Sequence, residues 1–175
     1  MAILGINDFK SKLVGGGARN NLFKVTCNFP AYARGNVELA SFMIKSAQLP
    51  SSIITPITIP FRGRQLQIAG DRQFEAWGIS VINDTGMEIR NSFERWMSGI
   101  NANAINTGRS NPADYTVDMA VEQLNKAGDV TKRYDLRGVF PSAVSAIDLS
   151  FDSENTVEEF SVELQMLYWE SEQSV

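Results

Sequence analysis

Apolar and polar residues alternate strictly along four stretches in the second half of the chain. These stretches cover residues 115–122, 133–137, 145–152 and 160–169. Alternation with a period of two is typical of antiparallel strands that bury one face and leave the other polar. We therefore predict four strands here, with one sheet face that meets either water or a partner.

The first half of the chain predicts three further strands outside a long hairpin. Residues 22–29 and 40–48 are apolar runs joined by a loop rich in turn-forming residues. Residues 77–82 form the third predicted strand, which ends at a polar Asn-Asp pair.

The hairpin lies between the second and third of these strands. Residues 53–61 are rich in β-branched side chains, and residues 66–72 follow a basic tip of Arg62, Gly63 and Arg64. Apolar residues on both sides of such a tip need a surface to lie against, and another copy of the chain is the simplest candidate. We predict that nine residues of this segment lie at a subunit interface: Ile57, Ile59, Phe61, Arg62, Arg64, Leu66, Ile68, Asp71 and Arg72.

One helix is predicted, over residues 86–100. Its apolar positions recur at steps of three and four and form a single stripe of Ile89, Phe93, Trp96, Met97 and Ile100. Thr85 and Glu88 have the spacing of a capping box at the helix start. Arg90 and Glu94 fall on the opposite side, which we expect to be exposed.

Together these elements predict a mainly β fold, an antiparallel β-sandwich or open barrel with one flanking α-helix and a long protruding β-hairpin. We expect a single domain over residues 21–170, with a long surface loop at residues 101–114. Residues 1–20 contain three consecutive glycines and predict a flexible N-terminal arm, because glycine in a regular element costs backbone entropy. Residues 171–175 are expected to form a C-terminal tail.

Composition limits the chemistry that this chain can perform. It has 43% apolar and 21% charged residues, as globular proteins do, and no apolar run approaches the roughly 20 residues that cross a bilayer. It has no histidine, and Cys27 is its single cysteine, which excludes histidine-based catalysis, cysteine metal clusters and an internal disulfide. We predict no catalytic residues, no cofactor and no metal, and therefore no enzyme.

Charge argues against tight binding of nucleic acid, because the net charge is −4. The one cluster of basic residues consists of Arg62, Arg64 and Arg72. These side chains could bind a phosphate or a carboxylate of a neighbouring copy. The acidic balance of the chain favours the carboxylate. The densest acidic stretch, residues 148–159, predicts a solvated turn, because it lacks the central glycine and final glutamate of a calcium loop.

Several short motifs occur in a defined order through most of the chain. In chain order they are Leu49-Pro50, Ile59-Pro60, Gly70-Asp71-Arg72, Phe74, Trp77, Asn83-Asp84, Phe93, Trp96, Gly138-Val139-Phe140-Pro141, Phe160 and Leu167-Tyr168-Trp169-Glu170. This ordered set resembles the inner tail tube proteins of contractile-tailed bacteriophages of the T4 type. The resemblance covers about residues 21–170 and is carried by the order of the motifs, since each alone is common.

The resemblance implies a structural virion protein, assembled in the host cytoplasm, whose hexameric rings stack into the inner tube of a contractile tail. Strands of neighbouring subunits would join into one large barrel, which removes the free sheet edges. The expected partners are further copies of the chain, the tail sheath protein, and baseplate and tube-terminator proteins. Genomic DNA would pass through transiently during ejection, and no membrane partner is expected; the N-terminus also lacks the pattern of a secretory signal.

Within such a tube we expect the hairpin to project from one ring and dock on the next, and the helix to face the sheath. Four residues on polar strand faces are candidates for the lumen: Asp118, Glu122, Glu163 and Gln165. A lumen of negative or mixed charge would let DNA phosphates pass without holding them.

Other assignments stay open at this point. The same resemblance would fit a baseplate protein that initiates the tube, or the tube subunit of a type VI secretion system. A small-ligand or carbohydrate-binding barrel would require a monomer with a deep pocket, and an enzyme would require a convergent polar cluster. Electron microscopy distinguishes a tube subunit from a baseplate initiator, since a tube subunit makes long cylinders and an initiator stops at rings.

Overall fold

The computed structural model describes residues 5–174, without the side chain of Val14. This part of the chain forms three α-helices, namely α1 (Ile6–Lys12), α2 (Val37–Met43) and α3 (Glu88–Ile100). Its nine strands are β1 (Phe23–Thr26), β2 (Ile44–Ala47), β3 (Ser52–Phe61), β4 (Arg64–Phe74), β5 (Trp77–Ile82), β6 (Val117–Leu124), β7 (Val130–Val144), β8 (Glu159–Gln165) and β9 (Tyr168–Ser171). Residues 1–4 and 175, parts of the predicted N-terminal arm and C-terminal tail, lie outside the described residues.

Seven strands form one bent antiparallel sheet in the order β1-β6-β7-β8-β5-β2, with β9 paired to β7. The first part of β7 pairs with β6 and β9, and its second part pairs with β8. Close to the junction of the two parts, at a register shift opposite Asp118, Gly138 has a φ of 62°, a left-handed conformation that favours glycine. Among the described residues β1, β2 and β9 are edge strands, so the sheet stays open.

The inner faces of both halves of the sheet enclose one core, which α3 covers. The helix buries Ile89, Phe93 and Trp96 completely, as the predicted stripe requires. The ring of Phe93 lies 6.1 Å from that of Trp96 and 5.2 Å from that of Phe29, measured between centroids. Trp96 Nε1 donates a hydrogen bond to the carbonyl of Tyr115 at 2.7 Å, which ties the helix to the end of the long loop. The mainly β, antiparallel fold with this flanking helix is confirmed.

The start of α3 differs from the predicted capping box. The Asp84 carboxylate accepts hydrogen bonds from the backbone N–H of Gly86 at 3.1 Å and of Glu88 at 3.0 Å, and Thr85 makes neither. The box is therefore wrong, and Asp84 satisfies the free N–H groups instead. Arg90 was also predicted to be exposed, but it is half-buried, because its guanidinium donates to the carbonyl of Ser145 at 3.1 Å.

Two helices form where none was predicted. The predicted strand over residues 40–48 is wrong in its first half, because α2 continues to Met43 and only β2 is extended. The Asn36 side chain begins this helix by accepting a hydrogen bond from Leu39 N at 3.1 Å. The other unpredicted helix, α1, lies in the predicted arm and buries none of its residues.

The strand predicted over residues 145–152 is also wrong. Residues 145–158 form an irregular loop between β7 and β8. The ladder between β7 and β8 ends at the Val144–Val162 pair, and one further backbone hydrogen bond, from Ser145 N to the carbonyl of Ser161 at 2.8 Å, continues it before the chain leaves the sheet. The predicted strand over residues 160–169 is divided into β8 and β9, which pair with the two parts of β7 on either side of its bend.

Candidate assembly surface

The predicted hairpin is present and stands apart from the main sheet. Among the described residues β3 and β4 pair only with each other. Their two-residue turn consists of Arg62 and Gly63, with φ values of 47° and 80°. Positive φ at both positions is what a tight two-residue hairpin turn requires, since it matches the twist of the flanking strands.

The register makes this hairpin one-sided. Directly opposed residues of antiparallel strands point to the same face, and Ile57 lies opposite Ile68, as Ile59 lies opposite Leu66. One face therefore carries five apolar side chains, which we call the apolar hairpin face: Ile57, Ile59, Phe61, Leu66 and Ile68. The other face is formed mainly by Thr58, Pro60, Gln65 and Gln67.

The apolar hairpin face is uncovered in the subunit. Its five side chains are between 42% and 65% exposed. A two-stranded hairpin without a third strand or a packed face is only marginally stable in water. A contiguous apolar patch of this kind marks an interaction site on a soluble protein. The hairpin therefore has the properties of a surface that a partner covers.

Two tryptophans attach the base of the hairpin to the domain. Trp169 Nε1 donates to the carbonyl of Ser51 at 3.0 Å, and its ring packs edge-on against Phe74 with centroids 6.3 Å apart. Trp77 Nε1 donates to the carbonyl of Gln48 at 2.6 Å. The hairpin is thus free along its length and fixed where it leaves the sheet.

The predicted charged residues of the interface are exposed at both ends of the hairpin. At the tip, the Arg62 guanidinium lies 5.3 Å from the centroid of the Phe61 ring. Near the base, Asp71 and Arg72 follow a register shift at Gly70, where a Cβ would lie 2.3 Å from the carbonyl oxygen of Thr55. Among the described residues, none of the three hairpin arginines forms a salt bridge, so their charges are available to a partner.

The four lumen candidates lie on two strands of one sheet, β6 and β8, which flank β7. Asp118 and Glu122 belong to the outer face of the half formed by β1, β6, β7 and β9, whereas Glu163 and Gln165 lie on β8 in the other half. Glu122 is only 8% exposed within the subunit, because Arg133 covers it and pairs with it at 2.9 Å.

The surface around Asp118 is a network of alternating charges. Arg137 pairs with Asp118 at 2.7 Å and lies 3.6 Å from Glu170, while Arg133 pairs with Asp135 at 2.9 Å. The hydrogen bond with Asp135 raises the pKa of Arg133, and that with Asp118 raises the pKa of Arg137. Both guanidinium groups therefore stay charged, and their charges are balanced by neighbouring carboxylates.

The structure offers little geometry for catalysis. Cys27 is completely buried, and burial raises the pKa of its thiol to about 12, so the reactive thiolate does not form near neutral pH. Within residues 5–174 no group of three or more acidic, cysteine or histidine side chains is arranged to hold a metal ion. In the same residues no helix is long and apolar enough to span a membrane.

Comparison with known proteins agrees with this arrangement. A family model for phage tail tube proteins matches residues 18–172. The tail tube protein gp19 of Enterobacteria phage T4 is 33% identical over 156 residues, which cover 87% of this chain and 91% of gp19. The chain belongs to the phage tail tube protein family. Proteins of this family are structural components of the virion tail.

Solved structures show the same fold for this tail tube protein. A chain of the anti-feeding prophage baseplate superimposes with a TM-score of 0.66 at 12% identity, covering 89% of this chain and 95% of that chain. A chain of the sheath-tube complex of PVC, an extracellular contractile injection system, gives a TM-score of 0.61 at 15% identity, covering 94% and 97%. The fold is therefore shared with components of contractile injection machines.

The sequence of the tail tube protein indicates the hairpin, but it does not indicate the contacts around the hairpin. The role of Trp169 at the hairpin base could not be found, because the tryptophan and Ser51 are 118 residues apart. The salt-bridge network was missed for the same reason, although the strict alternation of β6 and β7 placed its members on one face. The one-sidedness of the hairpin was available from sequence once the two-residue turn fixed the register.

Proposed function

We propose that this tail tube protein assembles into hexameric rings, which stack into the inner tube of a contractile phage tail and form the conduit for DNA ejection. The observation that carries the proposal is the apolar hairpin face. Five exposed apolar side chains lie on one side of an element that the subunit itself does not cover. In a tube, the hairpin of one ring would bury this face against the next ring.

The open sheet supports the same proposal. The edge strands β1, β2 and β9 present backbone N–H and C=O groups that pair with no further strand of the described chain. Soluble monomers block such edges, whereas a ring of subunits satisfies them by joining the sheets of neighbours. Ring closure and hairpin docking then use different parts of the subunit. Ring closure uses the sheet edges in lateral contacts, and hairpin docking makes contacts along the tube axis.

The proposed partners follow from the position of a tube within the tail. Further copies of the chain form the tube, the sheath contacts its outer side where α3 lies, and baseplate and tube-terminator proteins contact its two ends. Asp118, Glu122, Glu163 and Gln165 remain the candidates for the lumen, and a lumen without unpaired Lys and Arg would let DNA pass with little retention. Assembly would take place in the host cytoplasm.

Electron microscopy of the purified protein tests this proposal. We expect uniform hollow cylinders with sixfold symmetry at high protein concentration, alone or after addition of baseplates as seeds. Single rings that never elongate, even on a seed, would instead indicate a baseplate initiator. A protein that stays monomeric at every concentration and on every seed would refute the proposal.

A further inference from the structure

The end of the subunit opposite the hairpin carries a second uncovered surface. The hairpin connects the end of β2 to the start of β5. Strand β5 then runs across the sheet for six residues, about 20 Å, and its last residue, Ile82, pairs with Glu159 at the start of β8. The loop of residues 145–158, which leads into Glu159, therefore lies at the far end of β5. We call this segment the acidic loop.

The acidic loop exposes large apolar side chains. Leu149 is 80% exposed, Val157 is 62% exposed, and Phe151 lies entirely in solvent. Because residues 145–158 form no regular structure, their own backbone offers these side chains no cover. As with the hairpin, exposed apolar groups at the end of a subunit mark an interaction surface.

The two surfaces are complementary in charge. Residues 145–158 contain four carboxylates, Asp148, Asp152, Glu154 and Glu158, and no Lys or Arg. The hairpin strands and their turn contain three arginines and one aspartate, a net charge of +2. In the described part of the chain, Asp148, Asp152 and Glu154 form no salt bridge. The two surfaces thus carry unpaired charges of opposite net sign.

We propose that the acidic loop of one copy receives the hairpin of the next copy along the tube. Phe151 and Leu149 contact the apolar hairpin face, and the loop carboxylates pair with Arg62 and Arg64 at the hairpin tip. The hairpin and the acidic loop lie at opposite ends of one subunit. The contact between copies is therefore head-to-tail and repeats without closing, as filament growth requires. This inference rests on the proposed tube function and names the surface that completes it.

Exchange of charges between the two surfaces tests the pairing. The first variant combines Arg62→Glu with Arg64→Glu, and the second combines Asp152→Arg with Glu154→Arg. Each alone places like charges in contact, and we expect the critical concentration for tube formation to rise roughly tenfold or more. Both exchanges in one chain restore opposite charges across the contact, so tubes should return to within about twofold of the wild-type critical concentration.

Sedimentation and negative-stain microscopy measure tube formation, and circular dichroism checks that each variant is folded. The matched control, Arg62→Lys with Arg64→Lys, keeps the charge and should form tubes. If the loop exchange prevents folding, Asp152→Asn with Glu154→Gln removes the charges more mildly and should still raise the critical concentration.

The outcomes separate this inference from the proposed function. If the wild-type protein forms tubes and the folded loop variants form them equally well, the acidic loop is not the acceptor, although the tube function stands. If both single exchanges block assembly and the combined chain stays blocked, the hairpin and the loop are not partners. The pairing is supported only if each exchange blocks assembly and the chain that carries both exchanges forms tubes again.

Discussion

Replacing Phe61 and Leu66 with aspartate should abolish tube assembly and leave the subunit folded. Phe61 is 65% exposed and Leu66 is 56% exposed, so neither contributes much to the core of the free subunit. Substitutions at such surface positions usually change the free energy of unfolding by about 0.5 kcal/mol or less. The effect should therefore appear in association and not in folding.

The magnitude follows from the area that a neighbouring copy would bury. Full burial of a Phe or Leu side chain contributes about 1.5–3 kcal/mol, and more than half of each side chain is still available for burial. The two residues together would contribute about 2–3 kcal/mol to each contact between rings. Losing this lowers the association constant of each contact by roughly 30- to 150-fold, since about 1.4 kcal/mol corresponds to a factor of ten. Desolvation of the two new carboxylates adds to the loss.

The assay compares this variant with a matched one at equal protein concentration. Gln65→Asp with Gln67→Asp makes the same change in charge on the opposite face of the same hairpin. Tubes are counted by negative-stain microscopy and sedimented, and thermal unfolding followed by circular dichroism confirms the fold. We expect tubes from the Gln65/Gln67 variant and none from the Phe61/Leu66 variant. Normal tubes from the latter, or equal loss in both, would refute the assignment of the apolar face.

Two further predictions concern the subunit itself. Asp84→Ala should lower the free energy of unfolding by about 1 kcal/mol in urea denaturation, because it removes the cap of α3. The control, Thr85→Ala, should leave the free energy of unfolding nearly unchanged. A larger loss in Thr85→Ala than in Asp84→Ala would contradict the observed cap. Burial raises the pKa of Cys27 from 9.0 to about 12, so the unfolded chain loses this proton first, and stability should fall between these values as pH rises. The Cys27 contribution to this slope approaches about 1.4 kcal/mol per pH unit. Cys27→Ala should lack this contribution and keep only that of other groups such as Tyr32, whose pKa burial also raises; the same pH dependence in both proteins would disprove this origin.

Elements whose signals are local could be predicted from the amino-acid sequence. The β-branched run, the Arg62-Gly63 turn and the alternation that follows place the hairpin and its tip correctly. The spacing of Ile89, Phe93 and Trp96 determines which side of α3 is buried, because a helix brings such positions onto one face. The order of short motifs indicated the family, which the match over residues 18–172 confirms.

Other local signals were ambiguous, and packing decided between them. Residues 145–152 alternate as a strand does, yet they form a loop, because the chain leaves the sheet just after the Val144–Val162 pair and meets no further ladder partner. Residues 40–43 are apolar enough for a strand, but the Asn36 cap makes them part of α2. In both cases the pattern is compatible with two structures, and only the availability of hydrogen-bond partners selects one.

The tertiary structure alone decided how distant parts of the chain meet. The sheet order places β7 between β6, which carries Asp118 and Glu122, and β8, which carries Glu163 and Gln165, and alternation alone could not give this order. The pairing of Ile82 with Glu159 places the acidic loop at the end of the subunit away from the hairpin. Periodicity reports which side of a strand a residue faces, whereas the surface to which that side belongs depends on contacts between residues far apart in sequence.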